Sequence, residues 1–320
     1  MKTKISQIIS KGLLFAFIVL LGSCNYLDVD QYFDDTLKFD SVFTQKRYFE
    51  AYLWGAAGQL PDESRIFGHE YALGYVNPDN LRGMNVWSDM YKVIRKANLM
   101  LARMDECQDM TALDRRNYTG YIHFLRGYAY YHILMTCGPA ILVGDEIFES
   151  NLDGPAYNTY RATYDETVEY ICSELETAAA YLPLKASIAQ FERPTKGAAY
   201  ALIARLRLHA ASPLFNGTST ARLYFGNWKR TYDKEYYINQ NYSEEKWALA
   251  AAACKRVIDM NVYELFTVSK DQNTPQLPAG VPTENFPNGA GGIDPFKSYS
   301  HMFTGDEPFK NNNEVIWGRI

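Results

Sequence analysis

Residues 111–139 read TALDRRNYTGYIHFLRGYAYYHILMTCGP. Thr111-x-x-Asp114 is a variant of the capping box, in which the first side chain accepts the backbone N–H three residues on and the acid returns the bond. Between cap and end, Tyr121, Phe124, Leu125, Tyr128 and Met135 recur at helical spacing. Gly138-Pro139 then stops the helix at Cys137, because glycine closes the last turn and proline has no N–H with which to extend it. A helix with so long an apolar stripe must pack against other helices, and the flanking sequence supplies them.

Five more segments carry the same marks. The first runs from about Gln45 to Leu60. The second, about Val86 to Glu106, places Val86, Met90, Val93, Ala97, Leu101 and Met104 on one face. The fourth opens with Thr163-x-x-Glu166, carries Val168, Ile171, Leu175, Ala178 and Leu182, and stops at Pro183; its spacing is that of a narrow seam between helices. The fifth runs from Pro194-Thr195 through Ala199, Leu202, Ile203, Leu206 and Ala210 to Ser212-Pro213. The sixth follows Ser243, with Trp247, Ala250, Cys254 and Val257 on one face, and ends near Asn261.

Two long connections separate or follow these helices. Residues 214–242 hold Tyr224, Phe225, Trp228, Tyr232, Tyr236, Tyr237 and Tyr242, too aromatic for a disordered linker, so they must pack. Residues 269–294, with Pro275, Pro278, Pro282, Pro287 and Gly289-Ala290-Gly291-Gly292, exclude regular structure over most of their length. Strand candidates are short: residues 140–143 and 314–317. The fold class expected is mainly α, built of antiparallel helix pairs with long irregular excursions. The fourth and fifth helices begin 32 residues apart, near the period of about 34 of tetratricopeptide units, which the others do not keep.

At the N-terminus Lys2, Lys4 and Lys11 precede nine apolar residues, Leu13 to Leu21. That run is too short for a span, which needs about 20 residues. It has the order of a secretory signal, and Leu21-Gly22-Ser23-Cys24 looks like the lipobox of bacterial lipoproteins, with Cys24 as the lipid attachment site. Export divides the chain into a signal peptide, 1–23, and a mature domain, 24–320. Loss of the three lysines takes the net charge from −5 to −8, which argues against nucleic acid.

The other cysteines, at 107, 137, 172 and 254, form no C-x-x-C pair, and no histidine stands at metal-ligand spacing, so no metal or other cofactor is expected. Their disulfide status is open, although Cys172 and Cys254 share helix faces with apolar residues and read as buried thiols. The motifs of serine hydrolases, zinc proteases, P-loop proteins and dinucleotide-binding folds are missing. A pair of glycosidase carboxylates leaves no such mark.

Several segments together resemble the SusD/RagB family of outer-membrane nutrient-binding lipoproteins. They are Cys24-Asn25-Tyr26-Leu27-Asp28, WSDMYKVIRKANLML (87–101), YIHFLRGYAYYHILMTCGPAILV (121–143), RPTKGAAYALIARLRLHAASPLFNG (193–217), WALAAAACKRVIDMNVYELF (247–266) and NNNEVIWGRI (311–320). The resemblance implies tetratricopeptide-like helix pairs, a lipid-anchored location on the exterior of the outer membrane, no catalysis, and capture of an oligosaccharide or polysaccharide for a SusC-type TonB-dependent β-barrel transporter. In the family the NNEVI-like segment lies in mid-chain, so the chain is expected to lack a C-terminal portion and to leave exposed a face meant for it.

Sugar binding needs an aromatic face flanked by polar side chains, and 25 Tyr, 17 Phe and 5 Trp make such a face available. Residues 69–85 offer Tyr71, Tyr75, Asn77, Asn80 and Arg82; the same stretch also reads as a turn about Asn77-Pro78-Asp79 with its tyrosines packed inward. Residues 294–303, taken as a loop, offer Phe296 and Tyr299. Trp228 reads as packed against the helices, and Trp87 and Trp247 as core. Two other classes fit the composition: an exported glycoside hydrolase, and a helical-repeat scaffold for proteins or peptides.

Overall fold

The computed structural model describes residues 39–61, 75, 77, 85–148, 153–157, 159–308 and 312–318. Cys24, Tyr71, Asn80 and Arg82 lie outside them. Among the described residues there are eight α-helices: α1 (Lys46–Ala57), α2 (Trp87–Arg103), α3 (Ala112–Cys137), α4 (Tyr164–Tyr181), α5 (Lys196–Ala211), α6 (Ser219–Phe225), α7 (Glu244–Ile258) and α8 (Pro295–Thr304). Both capping boxes form, Thr111 with Asp114 and Thr163 with Glu166, each satisfying two backbone donors at a helix start.

Long helices pack on their neighbours in chain order, α1 on α2, α2 on α3, α3 on α4, α4 on α5 and α5 on α7. Their directions alternate. Tyr91 meets Tyr130 while Arg115 reaches the Met104 carbonyl, so α2 and α3 run oppositely. Glu169 pairs with Arg207 and Tyr164 with His209, which sets α4 against α5 in the same way. Successive antiparallel helices that each touch mainly the next make a tetratricopeptide-like stack.

α3 is buried along most of its length and forms the centre of the core. Gly120 and Gly127 face α4 where it comes closest; a Cβ on Gly127 would stand 3.2 Å from Glu174 Cβ, and one on Gly120 3.0 Å from Leu182. Beside Gly127, Arg126 is 3% exposed. Its Nε and Nη2 donate to the two carboxylate oxygens of Glu174 at 2.8 and 2.7 Å, and its Nη1 donates to Asn98 Oδ1 at 2.8 Å and Asp145 Oδ1 at 2.6 Å. Asn98 Nδ2 donates onward to the carbonyls of Gly144 and Glu146. Burial disfavours the Glu174 carboxylate, but the bonds from His123 and Arg126 reverse this and hold its pKa below the usual range.

The seam expected on the fourth helix, Val168, Ile171, Leu175, Ala178 and Leu182, is wholly buried, as is that of the fifth. The sixth departs from expectation. α7 packs on α5 through Ala250 and Ala253, leaving Trp247, Cys254 and Ile258 exposed along one stripe; Trp247 is not core and Cys254 is not a buried thiol. Five alanines from Ala248 to Ala253 let α7 sit close to α5 on a narrow face, and this turns the larger residues outward.

Neither strand candidate becomes a strand. Residues 140–143 form no ladder, and side chains are the partners of their N–H groups: Tyr91 Oη accepts from Ile141 N and donates to its carbonyl, Tyr130 Oη accepts from Val143 N, and Thr167 Oγ1 accepts from Ala140 N, while the Ala140 carbonyl accepts from Ala162 N. Tyrosine hydroxyls do here what a neighbouring strand does elsewhere. Residues 314–317 likewise form no strand: a turn at 313–314 leads into irregular chain, with Trp317 Nε1 donating to the Glu192 carbonyl.

The aromatic connection 214–242 packs. Phe215 stacks on Tyr164 at 4.4 Å, Ile238 is buried, and residues 219–225 form the short α6, which sequence reading did not anticipate. Buried Asn216 exchanges hydrogen bonds with Ser243 N and O at the start of α7. Gly217 beside it has φ +62° and lies where any Cβ would strike the Asn241 backbone.

Two outcomes are expected. Arg126→Met strands a buried carboxylate and should lower unfolding free energy by about 3–5 kcal/mol in urea titrations, while a joint Arg126→Met, Glu174→Leu change should recover much of that loss. Burial pushes the Cys107 thiol up to about 11 and that of Cys172 up to about 12. At about pH 8 a thiol reagent should therefore modify Cys254 readily, and Cys107 and Cys172 only when the chain unfolds.

Candidate functional site

Of the residues proposed for ligand contact, Tyr75 and Asn77 are described and both are exposed. Phe296 and Tyr299 stand on α8. Residues 294–303 are a helix and not a loop. Asp294 caps it, its Oδ1 accepting from Lys297 N at 3.0 Å, and Pro295 takes the first turn, where its missing N–H costs nothing. Asp and Pro in this order are a helix-start signal, but in sequence they close a Pro/Gly-rich run that masks them.

α8 is amphipathic in reverse. Its inward positions are Lys297, Ser298, His301 and Met302, all half-buried, and its aromatics face water: Phe296 is 42% exposed, Tyr299 72% and Phe303 74%. Residues 296, 299 and 303 share one face of a helix. Tyr299 and Phe303 touch, with ring centroids 5.1 Å apart and planes 51° apart. Phe303 was absent from the sequence-based set, although its spacing of four from Tyr299 is visible there.

Polar contacts produce the reversal. Ser298 Oγ accepts from Val268 N at 2.9 Å and donates to the Asp294 carbonyl. Asp294, fully buried, also accepts from Thr274 Oγ1, and Lys297 Nζ pairs with Asp271 at 2.6 Å. The Lys297 backbone N–H above all, then the Thr274 hydroxyl and Lys297 charge, hold the Asp294 carboxyl below the usual carboxylate range against its burial. The excursion 269–294 thus closes on itself, Ser269 opposite Ile293, and seats α8 by its polar side.

A cavity of about 610 Å³ lies between α1, α3 and the α4–α5 connection, walled by Trp54, Tyr121, Phe124, Phe191, Arg193 and Trp317 among others. That volume is typical of small-molecule sites. Arg193 lies 4.8 Å over the Trp54 ring and pairs with Glu50 at 2.7 Å; Trp317 stands edge-on to Phe124. Its walls come from four separate stretches of chain, so no local pattern announces it. Glu192 is the one carboxylate among its lining residues. Trp228 packs only in part: its ring is 4.8 Å from Tyr237 and covers Gly138 at the end of α3, but it stays 37% exposed. Trp87 is half-buried, against Tyr91.

Residues 62–208 match the family model SusD-like, described as starch-binding and associating with the outer membrane. Over that stretch, a little under half of its length, the chain is similar to the SusD-like family. Its fold agrees. A SusD-like protein from Bacteroides fragilis superposes with a TM-score of 0.57 at 18% identity, over 88% of this chain and 46% of its own. The protein BT4246 superposes with a TM-score of 0.63 at 22% identity, over 86% of this chain and 50% of its own. The chain thus spans about half the length of these two proteins, and at such identities the likeness is one of fold. No curated protein matches. Starch binding and association with the outer membrane describe the family that residues 62–208 match. Among the described residues no helix is long and apolar enough to cross a membrane.

Because one buried carboxylate both caps α8 and ties it to the excursion, Asp294→Ala should loosen this helix before any other. Amide hydrogen exchange at residues 297–300 is expected to accelerate roughly fivefold, with α3 and α4 unchanged.

Proposed function

We propose that this chain is a non-catalytic, surface-exposed lipoprotein that captures neutral oligosaccharides or polysaccharides and passes them to a SusC-type TonB-dependent transporter. The aromatic side of α8, Phe296, Tyr299 and Phe303, is the ligand platform. The observation that carries this reading is the reversed amphipathicity of α8. Exposing three aromatic rings while turning polar side chains inward forgoes roughly 1.5–3 kcal/mol per ring that burial would supply, a cost that a ligand with apolar ring faces offsets.

Tyr75 and Asn77 are exposed and supply a second ring and an amide; with Tyr71, Asn80 and Arg82 they form the other proposed contact group. Lipid attachment at Cys24 rests on Leu21-Gly22-Ser23-Cys24 and on the family's association with the outer membrane. More than one acyl chain there gives stable anchoring, at about 0.8 kcal/mol per buried CH₂. The mature domain then stands outside the cell, where polymeric glycans are met. A hydrolase needs two carboxylates across a cleft, and the cavity beside α1 and α3 has Glu192 as its one lining carboxylate.

Affinity electrophoresis in soluble starch and in a soluble β-1,3-glucan, with chromatography of the recovered glycan, tests the reading. Retardation by at least one polysaccharide, with the glycan intact, is expected, and Phe296→Ala, Tyr299→Ala, Phe303→Ala together should weaken binding at least tenfold. Shortened products would establish the hydrolase instead, and equal affinity in the triple variant would move the site off α8.

A further inference from the structure

The hairpin 229–236 carries an aromatic pair that the α8 platform does not use. Its strands meet at a single bridge, Lys229 opposite Tyr236, and its tip turns through Lys234 at φ +65°. Tyr232, near the tip, lies against Tyr160 from the extended segment before α4, with ring centroids 4.4 Å apart and planes 45° apart. Both rings stay in water, Tyr160 63% and Tyr232 51% exposed.

A hairpin tip is ordinarily mobile, but this one is held from beneath. Arg230 is buried, and its guanidinium gathers three carboxylates from two elements: Glu166 of α4 at 3.0 Å, and Asp233 and Glu235 of the hairpin at 2.7 and 3.0 Å. The same guanidinium lies 5.2 Å from the Tyr232 ring centroid. Main-chain bonds complete the seat, with Arg230 N donating to the Glu235 carbonyl and Tyr164 N to that of Tyr237. Tyr232 is therefore positioned relative to α4 by four charged groups, and the ring pair is preorganised, which lowers the entropy lost on binding.

What surrounds the rings has the chemistry of sugar recognition. Two flat apolar faces, tilted to one another, stand beside carboxylates that accept hydroxyl protons. Glu235 uses Oε2 for Arg230 and is mostly exposed; its Oε1 has no hydrogen-bond partner among the described residues. Arg230 fixes that carboxylate's direction, so the acceptor is aimed as well as present.

We propose that Tyr160 and Tyr232, with Glu235 at their edge, form a second platform for neutral glycan, separate from α8. The proposal rests on the glycan-capture reading above. It also gives that reading a physical use, because two modest sites on one rigid body bind a long polymer far more tightly than either alone.

Titration calorimetry of the full chain with the hexasaccharides of α-1,4- and β-1,3-linked glucose, beside electrophoresis in the two polysaccharides, tests it. The expected result is two hexasaccharides bound per chain, falling to one in Tyr160→Ala, Tyr232→Ala, with polysaccharide affinity lowered about tenfold. Tyr160→Phe, Tyr232→Phe keeps the ring faces and should retain both sites. If the alanine pair loses helical circular dichroism, Tyr232→Ser at the exposed tip is read in its place. One site in the wild type, with unchanged polysaccharide affinity in the hairpin variants, overturns the second platform and leaves the α8 site standing. Binding of neither glucan by the wild type overturns both.

Discussion

The Arg126–Glu174 pair ties together the centre of the helical stack. Two charges with almost no access to water are stable only when their bonding capacity is filled, and filling it draws in four pieces of chain. Glu174 takes two bonds from Arg126 and one from His123, fixing α4 on α3; Asn98 brings in α2; and Asp145, with the Gly144 and Glu146 carbonyls bound by Asn98, brings the connection back across all three. Each partner has directional demands, so the register of α2, α3 and α4 is set by hydrogen-bond geometry as well as by interlocking apolar residues. Gly127, next to Arg126, permits the close approach that these bonds require.

From that centre the stack extends by repetition. Inner helices bury one stripe against the preceding helix and another against the next, whereas the last of the described stacked helices, α7, packs mainly on α5. Its exposed stripe, Trp247, Cys254 and Ile258, follows from that position. The excursions are held differently, by polar side chains bonded to backbone: Tyr91 and Tyr130 for residues 140–143, Arg230 for the hairpin, Asp294 and Ser298 for the segment before α8. Rigid loops on a rigid stack are what an aromatic binding surface needs, since a ring free to turn into solvent loses entropy when a ligand orders it.

Much of the helical architecture was legible in the chain. Thr111 with Asp114 and Thr163 with Glu166 mark helix starts within a residue, since a cap is an interaction over three positions and needs nothing distant. The apolar repeats on α4 and α5 named the buried faces correctly. Legibility failed where the partner lay far off in sequence. Trp247 and Cys254 were placed inside by period alone, which assumes a neighbour on that side. Arg126 sits between Leu125 and Gly127 in an otherwise buried helix, a signal for a paired internal charge, but its partners are 28, 19 and 48 residues away.

The candidate surfaces divide in the same manner. The sequence by itself determined that the chain is mainly helical, where most helices begin and end, that the aromatic connection 214–242 must pack, and that aromatics cluster near residues 75 and 296, because caps, period and composition act over a few residues. Only the tertiary structure decided which way those aromatics face. An amphipathic pattern states that one side of α8 differs from the other, but the buried Asp294 and the bonds of Ser298 and Lys297 determine that the polar side is the inner one. Tyr160 and Tyr232, 72 positions apart, become one surface only because Arg230 of the hairpin is drawn to Glu166 of α4. The decisive energies there are those of burying charge and polar groups, which depend on every neighbour in space and on none in particular along the chain.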